Sequence, residues 1–226
     1  MATQIAALQI VNDVLQLEMR RATERAEFQL AEAEHRLKNT FTTIHALSRH
    51  SARPGDTGEA FRAIFEARLL ALGRSHELLG AGYADGVSLA EVIGRCLQPY
   101  EGTPGRATVC GPAVLLAARD VPPLGLAFHE LTTNAAKYGA LSIPEGRVEV
   151  TWQLEAEGTK EPRSLAIVWR ERDGPRVKAP ERRGFGSRLL ERGLAQGSGG
   201  ITKIDFAPEG VACRIWLPLT SAQILT

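Results

Sequence analysis

The sequence predicts an α+β chain, an N-terminal antiparallel helical hairpin followed by one mixed sheet backed by helices, and three observations carry that reading. The stretch from Ala2 to Arg49 contains no Gly or Pro and repeats apolar residues every three or four positions. A breaker, Arg53-Pro54-Gly55-Asp56, separates it from a second helical pattern. Beyond Gly80-Ala81-Gly82 and Asp85-Gly86 the texture changes to short elements punctuated by Gly and Pro, in which strand-like and helix-like runs alternate.

The long first pattern runs through Ile5, Leu8, Val11, Leu15, Met19, Ala22, Ala26, Leu30, Ala33 and Leu37. As one continuous helix it spans about 70 Å at 1.5 Å per residue, and its seam needs a partner helix or a partner chain to cover it. The second pattern, Thr57 to Leu79, aligns Phe61, Ile64, Phe65, Arg68, Leu69, Leu72, His76 and Leu79 on one face. Two helices joined by a short turn form an antiparallel hairpin. The Gly-rich stretch that follows sets a domain boundary, giving domains of 1–82 and 83–226. In the second domain the pattern predicts helices at 88–98, 121–138 and 185–196. Strands are predicted at 106–110, 146–154, 164–170, 200–207 and 210–217, the last two joined by a turn at Pro208-Glu209-Gly210.

Composition narrows the function classes. Of 226 residues, 44% are hydrophobic and 23% charged, as in an ordinary folded protein. The 27 basic and 26 acidic side chains leave a formal charge of +1, which argues against a chain built to coat nucleic acid or an acidic membrane. Cys96, Cys110 and Cys213 lie far apart in odd number, so neither a disulfide framework nor a zinc site is expected and a reducing cytoplasm fits. No apolar run approaches the ~20 residues of a membrane span, and neither a signal peptide nor an anchor is expected.

Three constellations carry chemistry. On the first helix, Glu34-His35-Arg36-Leu37-Lys38-Asn39 places Lys38 and Asn39 one turn from His35. A neutral imidazole is a nucleophile near neutral pH, an Asn one turn away can orient its ring, and a lysine attracts phosphate. The plainer reading of this hexapeptide is a histidine on a solvated helix face. On the 121–138 helix, Glu130, Asn134 and Lys137 or Tyr138 form a polar stripe. A carboxamide suits Mg²⁺, an ammonium suits phosphate, and the carboxylate can polarise a nucleophile or a metal-bound water. Alternatively the stripe is a solvated face, with Leu126, Leu131 and Ala135 supplying the buried side. Finally, the apolar run Leu165-Ala166-Ile167-Val168 leads into Trp169-Arg170-Glu171-Arg172-Asp173-Gly174-Pro175. Arg183-Gly184-Phe185-Gly186-Ser187-Arg188 follows, a Gly-x-Gly whose free N–H groups at a helix start can meet an anion. Between Arg170 and Arg183 six basic residues outnumber three acidic ones, so this loop is locally positive. A Gly-rich turn with solvated arginines is the commoner meaning of such a pattern taken alone.

Taken in order, these constellations resemble the HWE subfamily of sensor histidine kinases, named for a His in an Asn-bearing box and a Trp-x-Glu in an acidic box. Here those are His129 and Trp169-Arg170-Glu171. The resemblance covers about residues 30–219 and includes His-Glu-Leu-x-x-Asn-Ala-x-Lys-Tyr-Gly-Ala-Leu-Ser at 129–142 and Gly-Phe-Gly-Ser-Arg-Leu-Leu at 184–190.

The resemblance implies that His35 is the phospho-accepting histidine of a dimerising helical hairpin. It implies that the remainder is a Bergerat-type α/β sandwich binding Mg·ATP. It matches Asn134 to the Mg²⁺ ligand, Glu130 to the acidic residue four before it and Lys137 to a residue near the phosphates. Glu171 takes the place of the acid that reads the adenine amine, with Asp173 as the other carboxylate available and Gly174 shaping the turn, while Gly184 and Gly186 match the second glycine box. A response-regulator receiver domain is the implied acceptor partner, and a homodimer the implied assembly. Two features depart from the commonest histidine kinases. Arg36, not an acid, follows the phospho-accepting position, so proton removal falls to Glu130, to water or to no group at all. The acidic turn also lacks the usual Asp-x-Gly-x-Gly. His129 acquires no role beyond bracing its helix. No sensor or receiver domain is recognisable in the sequence. Rival readings are a histidine phosphotransfer module with a degenerate second domain, and a gyrase-like ATPase or scaffold in which His35 is incidental.

Overall fold

The computed structural model describes residues 2–51, 57–80, 86–100, 105–155, 164–177 and 199–219. It divides into two compact units, residues 1–49 and 50–226. Helix α1 (Ala2–Ser51) supplies the whole of the first unit and ends two residues into the second. Its length follows from the absence of any breaker before Pro54, and Thr23, Thr42 and Thr43 each donate a side-chain hydrogen bond to the carbonyl one turn back.

The second unit opens with α2 (Gly58–Gly80), whose first turn carries Thr57, with its hydroxyl accepting from the Ala60 N–H at 3.2 Å. Next come β1 (Val87–Ser88), α3 (Leu89–Leu97), a 3₁₀ turn at 98–100, β2 (Ala107–Cys110), β3 (Leu115–Leu116) and α4 (Val121–Lys137). Proline at the start of α4 suits positions whose N–H groups have no intrahelical partner. A 3₁₀ turn at 140–142 leads to β4 (Arg147–Glu155), β5 (Ser164–Arg172), β6 (Ile201–Ala207) and β7 (Gly210–Pro218).

The main sheet has five strands in the order β2-β4-β5-β7-β6. Strands β2 and β4 run parallel and the other neighbours antiparallel, with Val150 opposite Trp169 and Ile167 opposite Ile215. Alternation puts Val148, Val150 and Trp152, then Leu165, Ile167 and Trp169, then Cys213, Ile215 and Leu217 into one core. The helices cover that face with Leu89, Ile93 and Leu97 of α3 and Leu124, Phe128 and Leu131 of α4. Strand β6 has no buried residue and puts Lys203 and Asp205 in solvent, as an edge strand does. A separate antiparallel pair, β1 with β3, anchors the start of α3.

This is the mixed α+β sheet-and-helix architecture expected, and each element expected within the described residues begins and ends within two residues of its expected bounds. The helix expected at 185–196 lies outside the described residues. The pair β1/β3 and the two 3₁₀ turns were not expected, because elements of two or three residues have no periodicity and form only through tertiary pairing. Helix α2 packs in the second unit, against α4.

Candidate functional site

The candidate side chains described in the second unit gather on two elements, the C-terminal half of α4 and the end of β5. Along α4, Asn134 and Lys137 are exposed, while Glu130, one turn earlier, is buried. The helix stops at Tyr138, itself exposed, and the Asn134 carbonyl accepts from the N–H groups of both Tyr138 (2.8 Å) and Gly139 (3.2 Å). The chain then turns sharply, and Gly139 is required there because a Cβ would lie 1.9 Å from Oε2 of Glu171.

That carboxylate is the joint between the two elements. Glu171 is buried at the end of β5; its Oε2 accepts from the Ala140 N–H at 2.9 Å and its Oε1 from the Trp169 indole N–H at 3.3 Å. Burial pushes its pKa up, partly opposed by those two donors, which favour the ionised form. The turn beyond it packs on the same residue: a Cβ on Gly174 would come within 2.7 Å of the Ala140 Cα. Asp173 is exposed and adopts φ 55°, the left-handed region that non-glycine residues rarely occupy, with Arg147 Nε 4.0 Å from its carboxylate. Arg106 braces the rim, donating to the carbonyls of Leu141 (3.1 Å) and Ile143 (2.6 Å).

The sequence offers candidates on both elements but not the bond that joins them, since a hydrogen bond between residues 140 and 171 leaves no trace in spacing. Glu171 and Asp173, alternatives on sequence grounds, differ sharply here: one is buried and bonded, the other solvated. Of the carboxylate's roughly four acceptor directions two are used, so Glu171 retains capacity to accept another donor. Glu130, expected at a metal or in proton transfer, instead has both oxygens engaged by the guanidinium of Arg68 on α2, at 2.7 and 3.0 Å. The sequence places Arg68 only as a member of the α2 stripe; a guanidinium on a face otherwise apolar but for His76 was the available signal.

His129 is half-buried beside a cavity of about 160 Å³ between α2, α3 and α4, which Arg74, Cys96 and Thr132 also line. Burial pulls its pKa down, with Glu130 opposing and the cations Arg74, Arg68 and Lys137 reinforcing, so its ring is held neutral. Position 35 falls within α1, in the first unit, but the His35 side chain lies outside the described residues. Lys38 and Asn39 are exposed on the same helix. Gly184, Gly186 and Ser187 lie outside the described residues as well. Among the described residues no three His, Cys, Asp or Glu side chains converge as a metal site. A cation here would therefore take one or two protein oxygens and fill its shell with phosphate and water, the manner in which Mg²⁺ is usually bound. No helix among the described residues is long and apolar enough to cross a membrane.

Residues 32–113 match the family model of the HWE histidine kinases. A protein of Brucella ovis named blue-light-activated histidine kinase is 34% identical over 215 residues, 94% of this chain and 43% of that protein, and its counterpart in Brucella anthropi is 33% identical over 218 residues. The chain thus spans less than half the length of these relatives. Among solved structures, the blue-light activated histidine kinase of Erythrobacter litoralis aligns with a TM-score of 0.57 over 84% of this chain and 59% of that one, at 22% identity. Its isolated histidine kinase domain gives 0.51 over 69% and 74%, at 23% identity, a likeness of fold. The chain is thus similar to the HWE histidine kinases, with the family model matched over residues 32–113 and the Brucella relatives aligned along nearly its whole length.

Proposed function

We propose that the chain is a sensor histidine kinase core, an ATP-dependent phosphoryl transferase that phosphorylates His35 and passes the group to an aspartate of a response-regulator receiver domain. The observation that carries this reading is the joint at Glu171. It fastens the end of α4, with its exposed carboxamide and ammonium, to the acidic turn after β5. That arrangement offers a cation ligand, a phosphate contact and a buried acceptor for an exocyclic amine on adjoining elements.

The residues fit Mg·ATP, whose bound form supplies the γ-phosphoryl group and a divalent charge. Asn134 holds the cation through its amide oxygen, Lys137 draws phosphate oxygens as a point charge, and Tyr138 flanks them at the helix end. Glu171 accepts from the adenine amine, which guanine replaces with an oxygen, and Asp173 with Gly174 shapes the turn around it. Gly184, Gly186 and Ser187 complete the phosphate side with backbone N–H groups. On the first helix His35 presents a neutral ring nitrogen, Asn39 orients the ring and Lys38 attracts the incoming anion. Rate comes mainly from positioning and from charge placed around the transferring group. Residues 1–82 act as the phosphoacceptor and dimerisation segment, residues 83–226 as the nucleotide-binding segment, in a cytoplasmic homodimer. Glu130, one turn before Asn134, belongs to the same helix face.

The test is incubation of the full chain with ATP labelled on its γ-phosphate. An acid-labile, alkali-stable label on wild type that is absent from His35→Ala supports the kinase reading. No label on wild type, or full label on His35→Ala, overturns it.

A further inference from the structure

The guanidinium of Arg68 donates three side-chain hydrogen bonds. Its Nε and Nη2 donate to the two oxygens of Glu130, and its Nη1 donates to the Ser51 hydroxyl at 2.9 Å. The Arg68 and Glu130 side chains are only 8% and 10% exposed, and Ser51 is 1% exposed. Ser51 is the last residue of α1, Arg68 stands midway along α2, and Glu130 lies one turn before Asn134 on α4. One side chain therefore bonds three helices. Close approach at Gly125 reinforces the seam: a Cβ there would lie 2.1 Å from the Ser75 hydroxyl. The pairs 68 with 130 and 75 with 125 make α2 and α4 antiparallel.

Such a pair is an expensive way to hold two helices together. Desolvating two charges is costly, and well-packed apolar residues join helices as well or better. What a bidentate fork adds is direction, because it fixes the plane and rotation of the carboxylate it grips. Glu130 and Asn134 are one turn apart on the same face, so gripping Glu130 sets the rotation of α4 about its axis and with it the bearing of the Asn134 amide. The same grip disqualifies Glu130 as a proton acceptor in this arrangement, since both of its oxygens already accept from the guanidinium.

We propose that Arg68 is a positioning residue of the kinase reaction: its three-way grip on Glu130 and Ser51 fixes the rotation of α4, and with it the bearing of its nucleotide face, within the second unit. This inference rests on the kinase reading above and goes beyond it, because it makes the Glu130 carboxylate a bracket rather than a base. By its described contacts Arg68 acts through Glu130.

The experiment compares full-length wild type with Arg68→Lys, which keeps the charge but loses the fork, with Glu130→Gln, with their double variant and with Ser51→Ala, which removes the third bond. Cooperative melting without nucleotide establishes folding, and amide hydrogen exchange without nucleotide reports order along α4. Expected is faster exchange across 129–137 with α3 unchanged in Arg68→Lys. At saturating Mg·ATP its rate of phosphohistidine formation falls by about tenfold or more, while its affinity for Mg·ATP changes by less than about threefold. The double variant is no slower than the slower single variant, and Ser51→Ala falls by about threefold. The inference is overturned if Arg68→Lys labels as fast as wild type or faster, or if its loss is matched by lost nucleotide affinity or lost folded fraction. Should Arg68→Lys not fold, Glu130→Gln, of nearly the same volume, is read against the same outcomes. If wild type takes no label the kinase reading fails on its own, and unchanged exchange across α4 then still counts against the grip.

Discussion

At the scale of single residues, the two acids of the turn after β5 carry opposite physics. Glu171 is buried, so its folded pKa lies above the ordinary value of 4.5. A raised folded pKa means that the folded state holds its proton more tightly than the unfolded state. Its contribution to stability is full below pH 4.5 and is lost as pH rises through the folded value. Wild type should accordingly gain melting temperature relative to Glu171→Gln as the buffer is lowered from pH 7.5 toward 4.5; a difference that stays constant or shrinks on acidification contradicts this. Asp173 has no burial to defend and occupies the left-handed region. Asp173→Gly relieves about 1 kcal/mol of backbone strain and returns part of it as unfolded-chain entropy. The variant should be about 0.5 kcal/mol more stable and, with Glu171 as the adenine reader, should keep its affinity for adenine nucleotide. Loss of affinity in Asp173→Gly, with affinity retained in Glu171→Gln, would reverse the assignment. Both acids stand out as candidates in Trp169-Arg170-Glu171-Arg172-Asp173-Gly174; which of them is buried was not legible, because burial is decided by Gly139 and Ala140, some thirty residues away.

Among the elements, periodicity told where helices and strands lie but not what each helix face meets. The α2 stripe was legible as amphipathic, and Leu72 is indeed buried, yet Leu69 of the same stripe is 39% exposed while Ser75 and Leu78 are buried. The buried face is rotated toward α4, and two small polar features, Gly125 and Ser75, set that docking. Alanine at 125 should bring the ~1 kcal/mol helix-propensity gain over glycine but collide with the Ser75 hydroxyl. With Ser75 present the collision dominates, and Gly125→Ala is destabilising by about 1 kcal/mol. In a Ser75→Ala background the same change becomes neutral or stabilising. A double-mutant cycle from chemical denaturation measures this reversal of sign, and additive effects would mean that the two helices do not touch where the geometry places them.

For the molecule as a whole, the sheet and its helical cover close one core, whereas α1 leaves a row of large apolar side chains in water. Leu15, Met19, Leu30 and Leu37 all lie on the stripe read from the sequence, and all are at least half exposed. A lone 50-residue helix gains nothing from such a row, while covering each Leu or Met yields about 1.5–3 kcal/mol. A second copy of α1, carrying the same stripe, is the simplest complement, consistent with the homodimer proposed for this chain. Charge placed in the stripe should break that assembly without touching the core, since neither Met19 nor Leu30 is buried. Met19→Glu combined with Leu30→Glu is therefore expected to halve the mass seen by sedimentation equilibrium, from two chains to one, with the melting of the sheet domain retained. If wild type already sediments as a single chain at micromolar concentration, or if the double variant remains a dimer, α1 is not the dimer contact and its apolar row needs another cover.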